Sequence, residues 1–407
     1  MRSLGTITAG TTRERATGDP TGARNADGIL EVTLFCAELA ADDTAAGAHV
    51  RGTLARLTDP RLHVNVVTQW ANGPRWMPRL LRRPWRLASV VARARVRRPR
   101  GVLLARWSPF VALVSGRWRR RGLPLVLFVQ GNLDDMYDSN PWTRRVPRIT
   151  EWALASIREA AAVVTPSEGL AEWVGSLRAD GRRGVTVIPN GADVGAFDAE
   201  RERAGQEAPP SGTTPSEHAL FFGNLASWQG VDTILAAVRE PAWPADLDLH
   251  VIGDGQAAEA VRSCGDARVH YLGRRPKREV TRAAARARMT LATRHDVAAS
   301  ATGVSPFKII ESAAAGTPSI VTRVPGQTEL AQAIGGSLLI PPGDPAALAA
   351  AVARLHGDAE LRDALASAGR DGVRAFDWAA HAGTLAGIVL AAADGSPRRT
   401  RATERVA

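Results

Sequence analysis

The chain has 407 residues, 45% of them hydrophobic and 23% charged, with a net charge of +11 at pH 7. That length exceeds one ordinary core and suits two domains, while the absence of any apolar run of bilayer length argues against a membrane-spanning protein. Two distant cysteines, Cys36 and Cys264, with no metal-ligand spacing point to neither a disulfide framework nor a zinc site.

Residues 1–28 are rich in Gly, Thr, Arg and Asp and lack an apolar centre, so a disordered arm is expected rather than a signal peptide, and a cytoplasmic location follows. Strand candidates come next at Glu31–Ala37, Leu62–Thr68, Gly101–Ala105, Pro124–Val129, Ala162–Thr165 and Val185–Ile188. Residues 61–133 hold sixteen arginines and no Asp or Glu, with tryptophans interleaved at Trp70, Trp76, Trp85, Trp107 and Trp118. A solvated basic face is the plain reading. The sharper one is peripheral contact of the region 61–121 with an anionic membrane or a phosphorylated acceptor. Nucleic acid is not expected as a partner, because no nucleic-acid-binding motif accompanies the charge.

Residues 199–217 are polar, rich in Gly, Pro, Ser and Glu, and mark a boundary. The second half gives strand candidates at Ala219–Phe222, Leu247–Ile252, Val269–Leu272, Met289–Ala292, Ser319–Thr322 and Ser337–Ile340. A helix is expected over Trp378–Ala393, then a basic tail. Strands alternating with helices predict an α/β fold of two doubly wound domains. The expected divisions are 29–194 and 195–376, a helix at 377–393 crossing back to the first domain, and a disordered tail at 394–407.

Ligands in such sheets bind beyond the carboxyl ends of the strands. Gly223-Asn224-Leu225, Gly253-Asp254-Gly255, Gly273-Arg274-Arg275 and Pro189-Asn190-Gly191-Ala192-Asp193 follow four predicted strands. Glycine there permits tight turns or close approach to a ligand. Most single cases are only turns; four together favour a crevice. In the segment that follows the fourth predicted strand of the second half, Ser305 is a suitable N-cap for a helix over 306–315, with Pro306 in its first turn and Gly316 as its stop. The start of that helix would seat a phosphate, Lys308 would add charge, and Glu311 could accept hydrogen bonds from ribose hydroxyls. An ordinary amphipathic helix is the competing interpretation of this segment alone.

The ordered set Val164-Thr165-Pro166-Ser167, Ile188 to Asp193, Phe222 to Leu225 with Trp228 to Asp232, Val251 to Gly255, Tyr271 to Gly273, and Ser305-Pro306-Phe307-Lys308-Ile309-Ile310-Glu311 through Pro318 resembles glycosyltransferase family 4 over residues 164–330. Before residue 160 the resemblance rests on Gly47-Ala48-His49-Val50-Arg51 and Arg106-Trp107-Ser108-Pro109. It implies the GT-B fold and retaining transfer of a hexose-type sugar from a UDP- or GDP-type donor. Glu311 would hold the ribose. Lys308 and the N–H groups around Ser305, Pro306 and Phe307 would face the diphosphate or sugar. Gly223, Asn224, Gly253 and Gly255 would line the nucleotide, and backbone near Arg274 the base. Gly47 would leave room for the diphosphate from the other domain, His49 is a weaker catalytic candidate, and Arg106 and Asn132 are acceptor-side candidates. Asn190 and Asp193 are expected to brace the crevice.

Three departures stand out. The first glutamate of the paired-glutamate motif falls on Gly303, and the usual Arg and Lys after the first strand of the second domain fall on Asn224 and Gln229. Gln130-Gly131-Asn132 stands where many members carry a histidine. Lys308, with an arginine from the basic domain, is expected to stabilise the leaving group. Asp134, Asp135 and Asp138 read as a solvated loop cluster. No cofactor and no metal are expected, since the chain has neither a P-loop nor a dinucleotide fingerprint and no Asp-x-Asp pair at the crevice. A lipid-linked or anionic acceptor in cell-surface polysaccharide or glycolipid assembly is the leading expectation; a small-molecule acceptor and a non-catalytic membrane-associated subunit are the alternatives.

Overall fold

The computed structural model describes residues 24–25, 27–38, 45–68, 78–96, 100–206, 218–296, 302–303 and 305–395. Most of the expected tail and of the expected arm, Trp70, Trp76 and most of the polar boundary fall outside them.

The twelve runs of β-branched and apolar residues form twelve strands in two sheets. The first sheet holds β1 (Leu30–Phe35), β2 (Leu62–Val67), β3 (Val102–Arg106), β4 (Leu125–Phe128), β5 (Ala162–Thr165) and β6 (Val185–Val187), in the order β2-β1-β3-β4-β5-β6. The second holds β7 (His218–Asn224), β8 (Asp248–Asp254), β9 (Val269–Gly273), β10 (Met289–Ala292), β11 (Ser319–Thr322) and β12 (Ser337–Ile340), in the order β12-β11-β10-β7-β8-β9. Every pairing between these twelve strands is parallel. Parallel strands need helical crossovers that cover both faces, which is why the central strands β4, β10 and β11 are buried at every residue. The edge strand β9 is only half-buried throughout.

β7 and β8 run two residues further than their apolar runs suggest, because Gly223 and Asn224 stay in register with Gly253 and Asp254. Both lobes therefore present polar, glycine-bearing strand ends along one edge of each sheet.

The end of the chain is stitched to the first lobe. Leu385, Ile388 and Val389 of the helix Ala382–Ala393 share a core with Leu30, Val32, Leu104 and Phe128. Its expected first turn is instead a 3-10 turn, Trp378–His381, started by Asp377, whose Oδ1 accepts from Ala379 N–H. Ala192 and Asp377 form a parallel bridge where the chain leaves and re-enters the first lobe, and the Trp378 indole packs where a Cβ on Gly52 or Gly191 would stand.

The basic stretch folds differently from a row of surface anchors. Trp118 is fully buried, and buried Trp107 donates from Nε1 to the Ala153 carbonyl at 2.9 Å. An indole buries too much apolar area to be left in water when a core is available. The exposed apolar side chains of this lobe include Leu81, Trp142, Val146 and Trp152.

Candidate active site

Strand order reverses between β1 and β3 in the first lobe and between β7 and β10 in the second. Crossovers diverge at such a point and leave a crevice beyond the strand ends. The residues that close β7 and follow β10 are Gly223-Asn224 and Thr293-Arg294. This crevice is the candidate site.

Its floor requires glycine. Gly223, Gly253 and Gly255 have φ of 123°, 150° and 149°. A Cβ on Gly253 would lie 1.8 Å from the Gly223 carbonyl oxygen, and one on Gly255 would lie 2.7 Å from Asn224 Oδ1. Backbone is thus laid bare beside the exposed Asn224 side chain.

The helix Phe307–Ala315 points its start at this floor. Pro306, not Ser305, occupies its N-cap position, and no side chain caps it. Ser305 is engaged elsewhere: its hydroxyl accepts from Asn190 N–H at 3.2 Å and its carbonyl from Asn190 Nδ2 at 2.6 Å. The first N–H groups, near Phe307, are therefore open to an anion. Gly316, at φ 74°, ends the helix in the left-handed conformation.

Lys308 Nζ donates to Gln229 Oε1 at 2.6 Å and sits 3.7 Å from the Phe221 ring centroid. Its stem passes close to Gly223, where a Cβ would meet Cε at 3.0 Å. Burial and the Arg294 guanidinium hold its ammonium well below the ordinary lysine value, and Glu311 works against them. A half-buried cation is poised to gain from an incoming phosphate.

Two cations escaped the sequence reading. Arg294 follows β10, is half-buried, and donates its backbone N–H to Thr322 Oγ1 at 2.9 Å. Burial lowers its affinity for a proton while Asp135 of the first lobe raises it. Lys277 pairs with buried Glu311 at 2.5 Å through Oε1. Both follow strand ends, in Thr293-Arg294-His295 and Pro276-Lys277, so the rule that found the glycines could have found them. Arg294 belongs to the second lobe, whereas the arginine expected at the leaving group was one from the basic domain.

Across the crevice, Asn132 is buried and caps the helix Leu133–Ser139: Oδ1 accepts from Asp135 N–H at 3.1 Å, while Asp135 Oδ2 accepts from Asn132 N–H at 3.0 Å. The expected solvated loop is therefore a helix start. Asp134 and Asp138 are exposed, but Asp135 is half-buried, and burial raises its pKa against the opposing pull of Arg294. Gly47 and His49 lie within the helix Ala45–Arg56 rather than in a glycine loop. His49 packs edge-on against Phe128 at 4.7 Å, and its Nδ1 is buried without a hydrogen bond. Burial, then Arg106 and Arg56, keep it neutral. Arg106 ends β3 and pairs with Glu38 at 2.5 Å. Arg274 is exposed and directly follows Gly273, which ends β9.

Gly303 explains the missing glutamate. It has φ 73°, a backbone conformation that strains any side chain, although an added Cβ would make only ordinary contacts, at 3.5 Å from Gly326 and 3.4 Å from Ser167 Oγ. That hydroxyl donates to the carbonyls of Thr302 and Gly303 at 3.1 and 3.3 Å. A glutamate would therefore be strained here by its backbone rather than by its neighbours. Asp193 caps the helix Val194–Gln206, accepting from Ala196 N–H at 2.9 Å.

Residues 216–358 match the family described as glycosyl transferases group 1, and residues 30–195 match glycosyltransferase family 4. The chain is 29% identical over 263 residues to a glycogen synthase of Mycobacterium tuberculosis, covering 63% of this chain and 60% of that one. It is 29% identical over 281 residues to a D-inositol 3-phosphate glycosyltransferase of Corynebacterium efficiens, covering 62% of each. The matches thus span about three fifths of these relatives. Among solved structures, sucrose-phosphate synthase from Thermosynechococcus elongatus superposes with a TM-score of 0.68 at 18% identity, covering 89% of this chain and 99% of that one. Anabaena HepE in complex with UDP and glucose does so with 0.64 at 18%, again covering 89% and 99%. These likenesses show the GT-B fold.

Proposed function

Because the chain belongs to the group 1 glycosyltransferases of family 4, we propose that it transfers a hexose-type sugar, with retention, from a nucleoside-diphosphate sugar in the second lobe to an acceptor in the first. The observation that carries this reading is the convergence of Lys308, Arg294 and an uncapped helix start on the glycine floor of the β7–β10 crevice. A pyrophosphate brings negative charge that those groups can neutralise, and that charge grows as the sugar leaves. HepE, a structural neighbour, binds UDP and UDP-glucose, which favours a uridine donor.

In this reading Glu311, fixed by Lys277, holds the ribose. Gly253, Gly255 and Asn224 border the nucleotide, and the chain near Arg274 meets the base. Lys308 and Arg294 stabilise the departing diphosphate, whose own oxygen takes the acceptor's hydroxyl proton as the new glycosidic bond forms on the same face. No enzymic nucleophile is needed; the protein supplies position and charge. Gly47, His49, Arg106 and Asn132 flank the acceptor side. The acceptor is lipid-linked or anionic, in cell-surface polysaccharide or glycolipid assembly at the inner face of the membrane. Exposed Trp142, Val146 and Trp152, interleaved with Arg144, Arg145 and Arg148, support peripheral contact with an anionic surface. No helix among the described residues is long and apolar enough to cross a membrane.

The test is a panel of UDP- and GDP-sugars, read by thermal shift and by slow donor hydrolysis without acceptor. One donor should stabilise the protein and be hydrolysed slowly. A chain indifferent to every nucleotide would be a non-catalytic subunit.

A further inference from the structure

At the opposite end of the donor lobe's sheet from the proposed nucleotide crevice, β7, β8 and β9 open on a cluster that transfer does not use. His218 begins β7 opposite Asp248, which begins β8, and His250 lies opposite His270 of β9. Asp248 and His250 are two residues apart on one strand, so they share a face, and cross-strand neighbours in register share it with them. The rings are gathered tightly. His218 stacks on His250 at 4.1 Å and 18°, and His270 meets His250 edge-on at 5.3 Å and 84°.

Asp248, His250 and His270 each offer a donor atom within 4.8 Å of the other two. His270 Nε2 comes within 3.2 Å of Asp248 Oδ2, yet it is buried without a hydrogen bond. An imidazole nitrogen and a carboxylate oxygen that face one another without a properly aimed proton suit a shared third atom. Two imidazoles and one carboxylate are a donor set for a borderline divalent ion such as Zn(II), and a poor one for Ca(II) or Mg(II), which take oxygen. Ligands on a tetrahedral zinc stand about 3.3 Å apart, given Zn–N bonds of about 2.0 Å. The three side chains are half-buried, so modest rotation can close that gap and the ion can enter from solvent. Among the described residues this is the one such group.

We propose that Asp248, His250 and His270 form a structural site for a divalent transition ion of the zinc class, clipping the edge strand β9 to β8. From Asp248 to Gly253 is five residues, about 17 Å of strand, so the ion stands apart from the transfer chemistry. Its effect would be mechanical. The β8–β9 register is irregular between Val251 and Ile252, and β9 is the half-buried edge of the sheet. The same strand leads into Gly273, Arg274 and Lys277, the last of which holds Glu311. A clip at its amino end would fix a strand whose other end borders the nucleotide pocket.

The experiment uses the untagged full-length protein, stripped with chelator, titrated with ZnCl2 by calorimetry and followed by thermal unfolding. One equivalent should bind at micromolar concentration or tighter and raise Tm. Co(II) in its place should give the visible absorption of a four-coordinate ion. His270→Ala, on the edge strand, should weaken binding by about 100-fold or more and abolish the Tm shift. His250→Gln should do the same if folded, and Asp248→Asn should weaken binding measurably. His63→Gln and His356→Gln, which remove histidines paired with carboxylates elsewhere, should leave it intact. Absence of stoichiometric binding, or binding that survives His270→Ala, overturns the assignment. Neither readout depends on turnover, so failure of this site leaves the transferase reading standing.

Discussion

Lys308 Nζ lies 2.6 Å from Gln229 Oε1 and 3.7 Å from the centroid of the Phe221 ring. Gln229 stands where the family usually places a cation, and here it serves as the acceptor that holds one supplied by another element. A lysine at 229 would repel Lys308; a glutamine steers it. In the proposed function, the charge at the helix start is the one that would meet the diphosphate.

Replacing Lys308 with Met should therefore lower kcat by about 10²–10³, or about 3–4 kcal/mol of transition-state stabilisation. Gln229→Leu should have a smaller effect in the same direction, about 10-fold, because it frees the ammonium from its anchor without removing it. Steady-state kinetics with the donor found in the nucleotide panel checks both. Equal activity of Lys308→Met and wild type would contradict the assigned role.

Glu311→Ala should weaken UDP binding by about 1–3 kcal/mol, the worth of charge-assisted hydrogen bonds to a ribose. Uridine or UDP carrying a 2′,3′-dideoxyribose should bind wild type and variant alike. Calorimetry with the two nucleotides separates loss of the ribose contact from general damage caused by orphaning Lys277.

Arg294 and Asp135 sit on different lobes and feel one another's charge. Arg294→Ala should reduce kcat about 10²-fold through the lost charge at the leaving group. Asp135→Asn should raise the acceptor KM with a smaller change in kcat. The double-mutant cycle on kcat/KM should show a coupling of about 1 kcal/mol. Strict additivity would mean that the two lobes do not meet through this pair during turnover.

His49 is held neutral in the folded protein, its pKa pushed well below the ordinary histidine value chiefly by burial. Its unfolded value is about 6.5. Below that pH the unfolded chain takes up a proton that the native one refuses, so stability must fall as pH falls. One such group contributes a slope of about 1.4 kcal/mol per pH unit. Urea unfolding at pH 7.5 and 5.5 should show His49→Gln losing less stability than wild type across that interval, by about 1 kcal/mol.

Gly253→Ala should be strongly destabilising, by about 3 kcal/mol or more, because its Cβ would fall 1.8 Å from the Gly223 carbonyl at a φ of 150°. Gly265→Ala is the contrasting control: it too has positive φ, at 71°, but nothing lies within 4 Å of the added carbon. Chemical denaturation of both variants checks the ranking.

Strands were legible because each is a short run of β-branched residues flanked by polar ones, a signal carried by neighbours in sequence. Ala162–Thr165, Met289–Ala292, Ser319–Thr322 and Ser337–Ile340 fall on the expected residues. The ordered motifs around Asn190, Gly253 and Lys308 were equally local. Misplaced features depended on partners far along the chain. Ser305 gives up the N-cap because Asn190 claims its hydroxyl. Trp107 and Trp118 leave the surface because a core lies within reach. Asp135 leaves solvent because Asn132 shares its capping box and Arg294 faces it.

Residue order alone thus determined two parallel α/β lobes, the glycine-bearing strand ends and the helix start with its Lys308 and Glu311, since periodicity and turn chemistry act over a few residues. Only the folded chain decided which cations meet at the crevice. Lys277 and Arg294 acquire meaning from Glu311 and Asp135, side chains 34 and 159 positions away along the chain yet close in space. Electrostatic work falls off with distance through space, and the sequence records only distance along the chain.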